Sequence, residues 1–258
     1  MTTLVIAKST FGEALRKKIV WIFLLVALGM IITSVSFASF TMREELTIIK
    51  SFGLGIIAVV GMFVAIILGI NLVPAEIERR TIYTILSKPV RRHEFLLGKF
   101  FGSLMTIFLS LAFMAVVFMV TVTFRNHWRP DFALLKGVLM IFFQLALLSS
   151  VAMVFSVFAT PVVNFFLTSA IYIIGSLSEV TMALSQSKEI SPIMKGFYWL
   201  LHYLVPNFAN FFTQNPLIHP DVVIQNETTY YLKAITYAII YSCALLIVAI
   251  LKFERRDM

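Results

Sequence analysis

Long uncharged blocks alternate with short charged segments along the 258 residues of the chain. Ile19–Met42, Ser51–Ala75 and Phe100–Phe124 contain no Asp, Glu, Lys or Arg, and each is long enough for one helical crossing of a bilayer, which takes about 20 apolar residues. Gly137–Ser178 is uncharged for 42 residues. As one helix it would run roughly 63 Å, about twice the hydrocarbon thickness. It must therefore fold back, and Pro161 in the segment FATPVVN is the predicted turn. Ala234–Leu251 supplies a last crossing. The pattern thus predicts six spans, at 19–42, 51–75, 100–124, 137–159, 161–178 and 234–251. A further uncharged run, Gly196–Pro220, carries Pro206, Pro216 and Pro220, three Asn, two His and many aromatic residues. A lipid-exposed span cannot leave that much backbone unpaired, so short outer interfacial or re-entrant helices are the expectation there.

Composition agrees with this reading. Hydrophobic residues make up 60% of the chain, charged residues 13%, and the mean hydropathy is +0.94; a soluble domain has roughly 25% charged residues. An all-α integral membrane protein follows, with no room for a second soluble domain. The net charge is +8, which in such a protein reflects cytoplasmic loops and anionic lipid rather than nucleic acid. With six spans and the N-terminus inside, the cytoplasmic pieces hold thirteen of the 21 Lys/Arg residues. Both termini are then cytoplasmic, as the positive-inside rule requires. A seventh span would expel the Arg255/Arg256 tail. A cleaved signal peptide fits poorly, because Ile19–Met42 exceeds the 7–15 residues of a signal h-region.

Two charged segments have internal order. At the N-terminus Leu4, Phe11, Leu15 and Ile19 recur at spacings of seven and four, with Lys8, Glu13, Arg16 and Lys17 on the other side. The spacing predicts an amphipathic helix lying on the membrane surface. Between spans two and three, EIERRTIYTILSKPVRRHEFLLGK (Glu76–Lys99) gathers six Lys/Arg and three Glu. Glu76 and Glu78 suit a first helical turn, Ile82, Ile85, Leu86 and Pro89 fall on one side, Lys88 suits the last turn, and Pro89 stops the helix. A second helix starts near Arg91 and runs through Gly98 into span three. A loop that is merely solvated needs no apolar stripe, whereas a docking helix does.

The chemistry a membrane enzyme or an autonomous pump would need is missing from the sequence. The Gly98–Lys99 pair is preceded, where a phosphate loop needs Gly, by His93. Cys243 is the only cysteine, the four His are scattered over different loops, and neither HExxH nor GxSxG occurs. Span interiors offer Asn71, Gln144, Asn164 and hydroxyls, with Glu179 at the outer end of span five, rather than the intramembrane charges of ion-coupled carriers. The twelve Met read as packing residues and GKFFG (Gly98–Gly102) as a GxxxG helix-packing signal. Asn226–Thr228 is a glycosylation sequon in the outer segment. The simplest inference is that energy reaches the membrane part through the Glu76–Lys99 loop.

That loop resembles the cytoplasmic stretch of type-2 ATP-binding-cassette (ABC) permeases, and within them most nearly the multi-copper enzyme maturation or copper-processing branch. Glu78, Thr81, Pro89, Arg92, Glu94, Phe95, Gly98 and Lys99 match the family pattern, and Arg80 stands where the family often has glycine. The opening IAKSTFGEALRKK resembles the family's connecting helix, and LVPNFANFF its late Pro-Asn stretch. The resemblance implies one permease domain over 1–258 that pairs with a second permease chain, as a homodimer, and with two copies of a separate ABC ATPase, which holds the ATP and Mg²⁺. It implies an exporter, leaves room for an extracytoplasmic partner, and assigns no cofactor, metal or catalytic residue to this chain. Glu76–Lys88 would be the coupling helix, with Glu76, Glu78, Arg79, Arg80, Thr81, Ile82, Ile85, Lys88 and Pro89 at the ATPase. Arg92, Glu94, Phe95, Gly98 and Lys99 would complete the loop motif. Leu4–Lys17, with Phe11, Leu15, Arg16 and Lys17, would form the connecting helix. The alternatives are an ATP-independent channel or secondary carrier, and a mechanotransmitting permease that moves no solute.

Overall fold

A computed structural model describes residues 2–38, 45–70, 72, 74, 91–186, 191–211 and 227–254. Among these the chain is helical. Helix α1 covers Thr2–Arg16, α2 Lys18–Ala38, α3 Glu45–Ile70, α4 Arg92–Arg125 and α5 Leu134–Ser156. They are followed by α6 (Pro161–Ser176), α7 (Ser178–Gln186), α8 (Pro192–Leu204), a short 3₁₀ turn at Ala209–Phe211, and α9 (Glu227–Glu254). Five of the described helices, α2, α3, α4, α5 and α9, are long and apolar enough to cross a membrane; α6 and α7, bent by 62° at their junction, bring the number to six if counted as one span.

The predicted blocks land on these helices, with shifted ends. Helix α3 begins six residues before the uncharged run, and α9 seven before its own. Two of the charges that this adds are paired: Lys50 Nζ lies 2.6 Å from Asp131 in the α4–α5 turn, and Glu227 lies 3.1 Å from Lys136 on α5. Hydropathy counts a charge as the end of a span, whereas the fold carries the helix on by giving that charge a partner. Helix α4 closes on a turn in which His127 and Trp128 both have left-handed backbone and Trp128 N–H donates to Thr123 O at 3.0 Å. That is the six-to-one bond of a Schellman-type stop, made here without glycine.

The fifth span departs further from the expectation. Pro161 stands in the first turn of α6, as predicted, its missing N–H costing nothing at that position. But α6 is only 16 residues long, roughly 24 Å, short of the hydrocarbon thickness of about 30 Å. The chain bends at Leu177 instead of ending in a loop, and Glu179 falls in the first turn of α7. Helices α7 and α8 pack on each other. The chain then returns to the α6 terminus, where Phe208 N–H donates to Gly175 O at 3.1 Å. Tyr237 and Tyr241 of α9 hold this return, accepting from Asn207 N–H at 2.9 Å and donating to Leu204 O at 3.0 Å. So the first part of Gly196–Pro220, down to Phe211, forms short helical pieces; residues 212–220 and Asn226 of the sequon lie outside the described residues, while Glu227 and Thr228 begin α9.

Helices α3 and α5 form the centre, with α2, α4, α6 and α9 around them. Lipid is as apolar as leucine, so helices in a bilayer associate through close packing and buried hydrogen bonds rather than through the hydrophobic effect. Ser103 of α4 meets Ser149 of α5 at 3.3 Å. Asn164 of α6 is fully buried; it donates to Ala152 O of α5 at 2.9 Å and accepts from the Thr168 hydroxyl at 2.8 Å. Asn164→Leu removes the first bond and orphans the second. We expect it to destabilise the bundle by about 1–2 kcal/mol, read as a lower midpoint of denaturation in detergent relative to Asn164→Gln.

Candidate functional site

The loop motif of the sequence is a helix start. Arg92, Glu94, Phe95, Gly98 and Lys99 occupy the first turns of α4, which then runs unbroken for 34 residues. Arg91 N–H donates to the Glu94 carboxylate at 3.3 Å, closing the N-terminus on itself. The rest of the motif points at neighbouring elements.

Arg92 reaches the end of α9. Its Nη1 donates to the carbonyls of Phe253 and Glu254 at 3.1 and 3.2 Å. The helix dipole is negative toward this end, so a guanidinium on the carbonyls of the last described turn is favoured by charge as well as by hydrogen bonding. The same guanidinium lies 6.0 Å from the Phe253 ring, which stacks on Phe95 with centroids 6.2 Å apart. His93 Nδ1 lies 4.0 Å from Glu254.

Gly98 and Gly102 receive α1. A Cβ at Gly98 would lie 2.7 Å from Ile6 Cβ and 2.9 Å from Thr3 O; one at Gly102 would lie 2.7 Å from Ala7 O. The two backbones therefore touch, as GxxxG pairs allow. The facing side of α1 is a stripe of small residues, Ala7, Thr10 and Ala14, all buried. Lys99, buried, lies 3.9 Å from Glu13 of α1 and 5.7 Å from the Phe95 ring.

The surroundings turn this contact into a joint. Phe95, Leu96 and Phe100 pack in one cluster with Leu72 beyond α3, Met153 and Val157 at the end of α5, and Leu246, Ala249 and Phe253 of α9. At the other end of α1, Trp21 Nε1 of α2 donates to Leu15 O at 2.8 Å. Six elements thus meet at one end of the bundle. Of the predicted connecting helix, Phe11 and Leu15 are half-buried, Arg16 is exposed in the last turn and Lys17 links α1 to α2. Of the apolar residues that define its amphipathic pattern, Leu4 and Ile19 are exposed. The face that docks on α4 is the small one, which a hydrophobicity pattern does not register.

Glu76, Glu78, Arg79, Arg80, Thr81, Ile82, Ile85, Lys88 and Pro89 lie outside the described residues. The positions flanking them, Leu72 and Arg92, both belong to the joint. Phe253, Glu254, Trp21 and the Ala7–Thr10–Ala14 stripe were not marked by the sequence; the stripe, spaced three and four apart against a GxxxG, is the one signal that could have found them. Among the described residues no three His, Cys, Asp or Glu side chains come together as a metal site would require.

The family model described as ABC-2 family transporter protein matches residues 4–258, from α1 through the tail. The chain belongs to the ABC-2 transporter family. It is a multi-pass protein of the cell membrane and a permease of the ABC type. A search of curated proteins finds no match to the chain. In this ABC-2 permease the matched region begins at Leu4, so the α1–α4 contact lies within the family's extent.

Proposed function

We propose that this chain is the membrane subunit of an ABC exporter, and that the joint of α1, the start of α4 and the end of α9 receives the mechanical stroke of a separate ATPase. The observation that carries this reading is the packed cluster at Leu72, Phe95, Met153 and Phe253, which ties the ends of α3, α4, α5 and α9 together and whose Leu72 and Phe95 bracket the 76–89 segment in sequence. A displacement of that segment would be delivered to four spans at once. Rigid, packed elements with few alternative arrangements transmit such a displacement rather than absorbing it.

In this reading 1–258 forms a single permease domain, two copies pair, and two ATPase subunits bind ATP and Mg²⁺. The joint and both termini are cytoplasmic; the excess of Lys/Arg in those pieces supports that orientation. Glu76–Lys88 is the coupling helix, gripping the ATPase through Ile82 and Ile85 with Glu78, Arg79 and Arg80 at the rim. The α7–α8 hairpin and the chain returning past Phe208 cap the outer end. The copper-processing branch rests on the loop motif alone and forms no part of this reading.

The test is Ile82→Asp together with Ile85→Asp. Desolvating two carboxylates in an apolar contact is prohibitive, so ATPase co-purification should fall to background while the permease stays in the membrane fraction. Co-purification at the wild-type level would remove the loop as the docking site.

A further inference from the structure

Helices α1 and α4 do not close on each other along their whole length. Alongside the Gly98–Gly102 contact lies a groove of about 700 Å³, walled by Phe101, Leu104, Met105 and Phe108 of α4, Phe11 of α1 and Phe142 of α5. Among the described residues, Thr3 and Lys8 are its only polar lining residues. Lys8 is exposed and makes no ion pair or hydrogen bond among the described residues. A second groove, of about 490 Å³, continues between α4 and α5 as far as Val120. The two share Phe108 and Phe142, whose rings meet edge to face at 5.7 Å.

We propose that the first groove is a binding site for one phospholipid with an anionic headgroup, its phosphate on Lys8 and an acyl chain lying along α4. The dimensions fit one leaflet. From Phe101 to Leu109 the helix rises about 12 Å, close to half of the roughly 30 Å hydrocarbon core. The Phe108–Phe142 pair then stands near mid-membrane, dividing the trench into one compartment for each leaflet. A partner helix would need a continuous trench, and the ring pair interrupts it. Charge argues the same way. An unpaired ammonium at the membrane surface attracts anionic lipid. A second copy of this chain docking face to face would bring the same patch against itself, and among the described residues neither groove is lined by an acidic residue to meet Lys8.

Native mass spectrometry of the delipidated protein, offered phosphatidylglycerol and phosphatidylcholine with identical acyl chains, tests this. The wild type should retain one phosphatidylglycerol in preference to phosphatidylcholine. Lys8→Gln should cut that preference about fivefold, and Lys8→Arg should restore it. Leu104→Trp, which fills the groove, should abolish retention of both lipids, while Val120→Trp in the second groove should leave it intact. An unchanged preference in Lys8→Gln overturns the headgroup assignment. If Leu104→Trp changes the oligomeric state without losing lipid, the groove holds a second copy of the chain and the proposal fails.

Discussion

Replacing Gly98 or Gly102 by valine will release α1 from α4 while leaving the membrane bundle folded. Even the first carbon of a side chain at Gly102 would sit 2.7 Å from Ala7 O and 2.6 Å from Thr10 Cβ, and at Gly98 it would meet Ile6 and the Thr3 carbonyl. A main-chain oxygen cannot swing aside as the tip of a long side chain can, so α1 itself has to move. Overpacking of this kind costs about 1–3 kcal/mol per site, and here the cost falls on one peripheral helix. In hydrogen–deuterium exchange, amides from Ile6 to Ala14 should therefore exchange roughly ten- to a hundredfold faster, with α5 amides unaltered. Under the proposed mechanism ATP hydrolysis would continue without driving transport. Wild-type protection of α1 in either variant would mean that the contact is not what holds the helix.

Truncating Phe253 will unfasten the tail end of α9. Its side chain is 2% exposed, lies against Phe95, and carries the Arg92 guanidinium close to its ring. Removing a buried phenyl group costs about 3–5 kcal/mol. For a chain of this size that corresponds to a fall of roughly 10 °C in melting temperature. Arg92→Lys separates packing from hydrogen bonding. It keeps the charge but loses the planar group that spans two carbonyls, so its effect should be well under half that of Phe253→Ala. Equal losses from the two variants would show that the hydrogen bonds, not the stacked rings, hold α9 in place. The measurement is thermal denaturation of the purified permease in detergent.

The spans were legible because bilayer insertion is written in composition: runs such as Phe100–Phe124 had no other physical reading. Pro161 marked its turn for the same reason, since proline removes a donor wherever it stands. The ends were less legible. Lys50 and Glu227 looked like loop residues until Asp131 and Lys136 appeared beside them, and such pairing is a property of the fold. The broken fifth span escaped notice because Leu177, where the chain bends, belongs to an unremarkable apolar stretch. The candidate site was half visible. Arg92, Phe95, Gly98 and Lys99 stood out by motif, and their helix start near Arg91 was legible, but what they pack against was not. Their partners, Phe253 and the small stripe of α1, lie far away in sequence, Phe253 being 161 residues beyond Arg92 and the stripe near the start of α1. Helix–helix contacts in lipid are made by small residues, which leave the faintest trace in a hydropathy profile.

Helix α4 is 34 residues of continuous backbone hydrogen bonding, with no proline in it, and so forms a rod roughly 51 Å long. One end is gripped by α1 and α9; the other closes on the Asn126–Arg129 turn. Pivoted at its gripped end, such a rod amplifies what it receives: a tilt of about 5° there carries the opposite tip through about 4 Å. A lever of this length converts a stroke too small to open a path into one comparable with the width of a side chain.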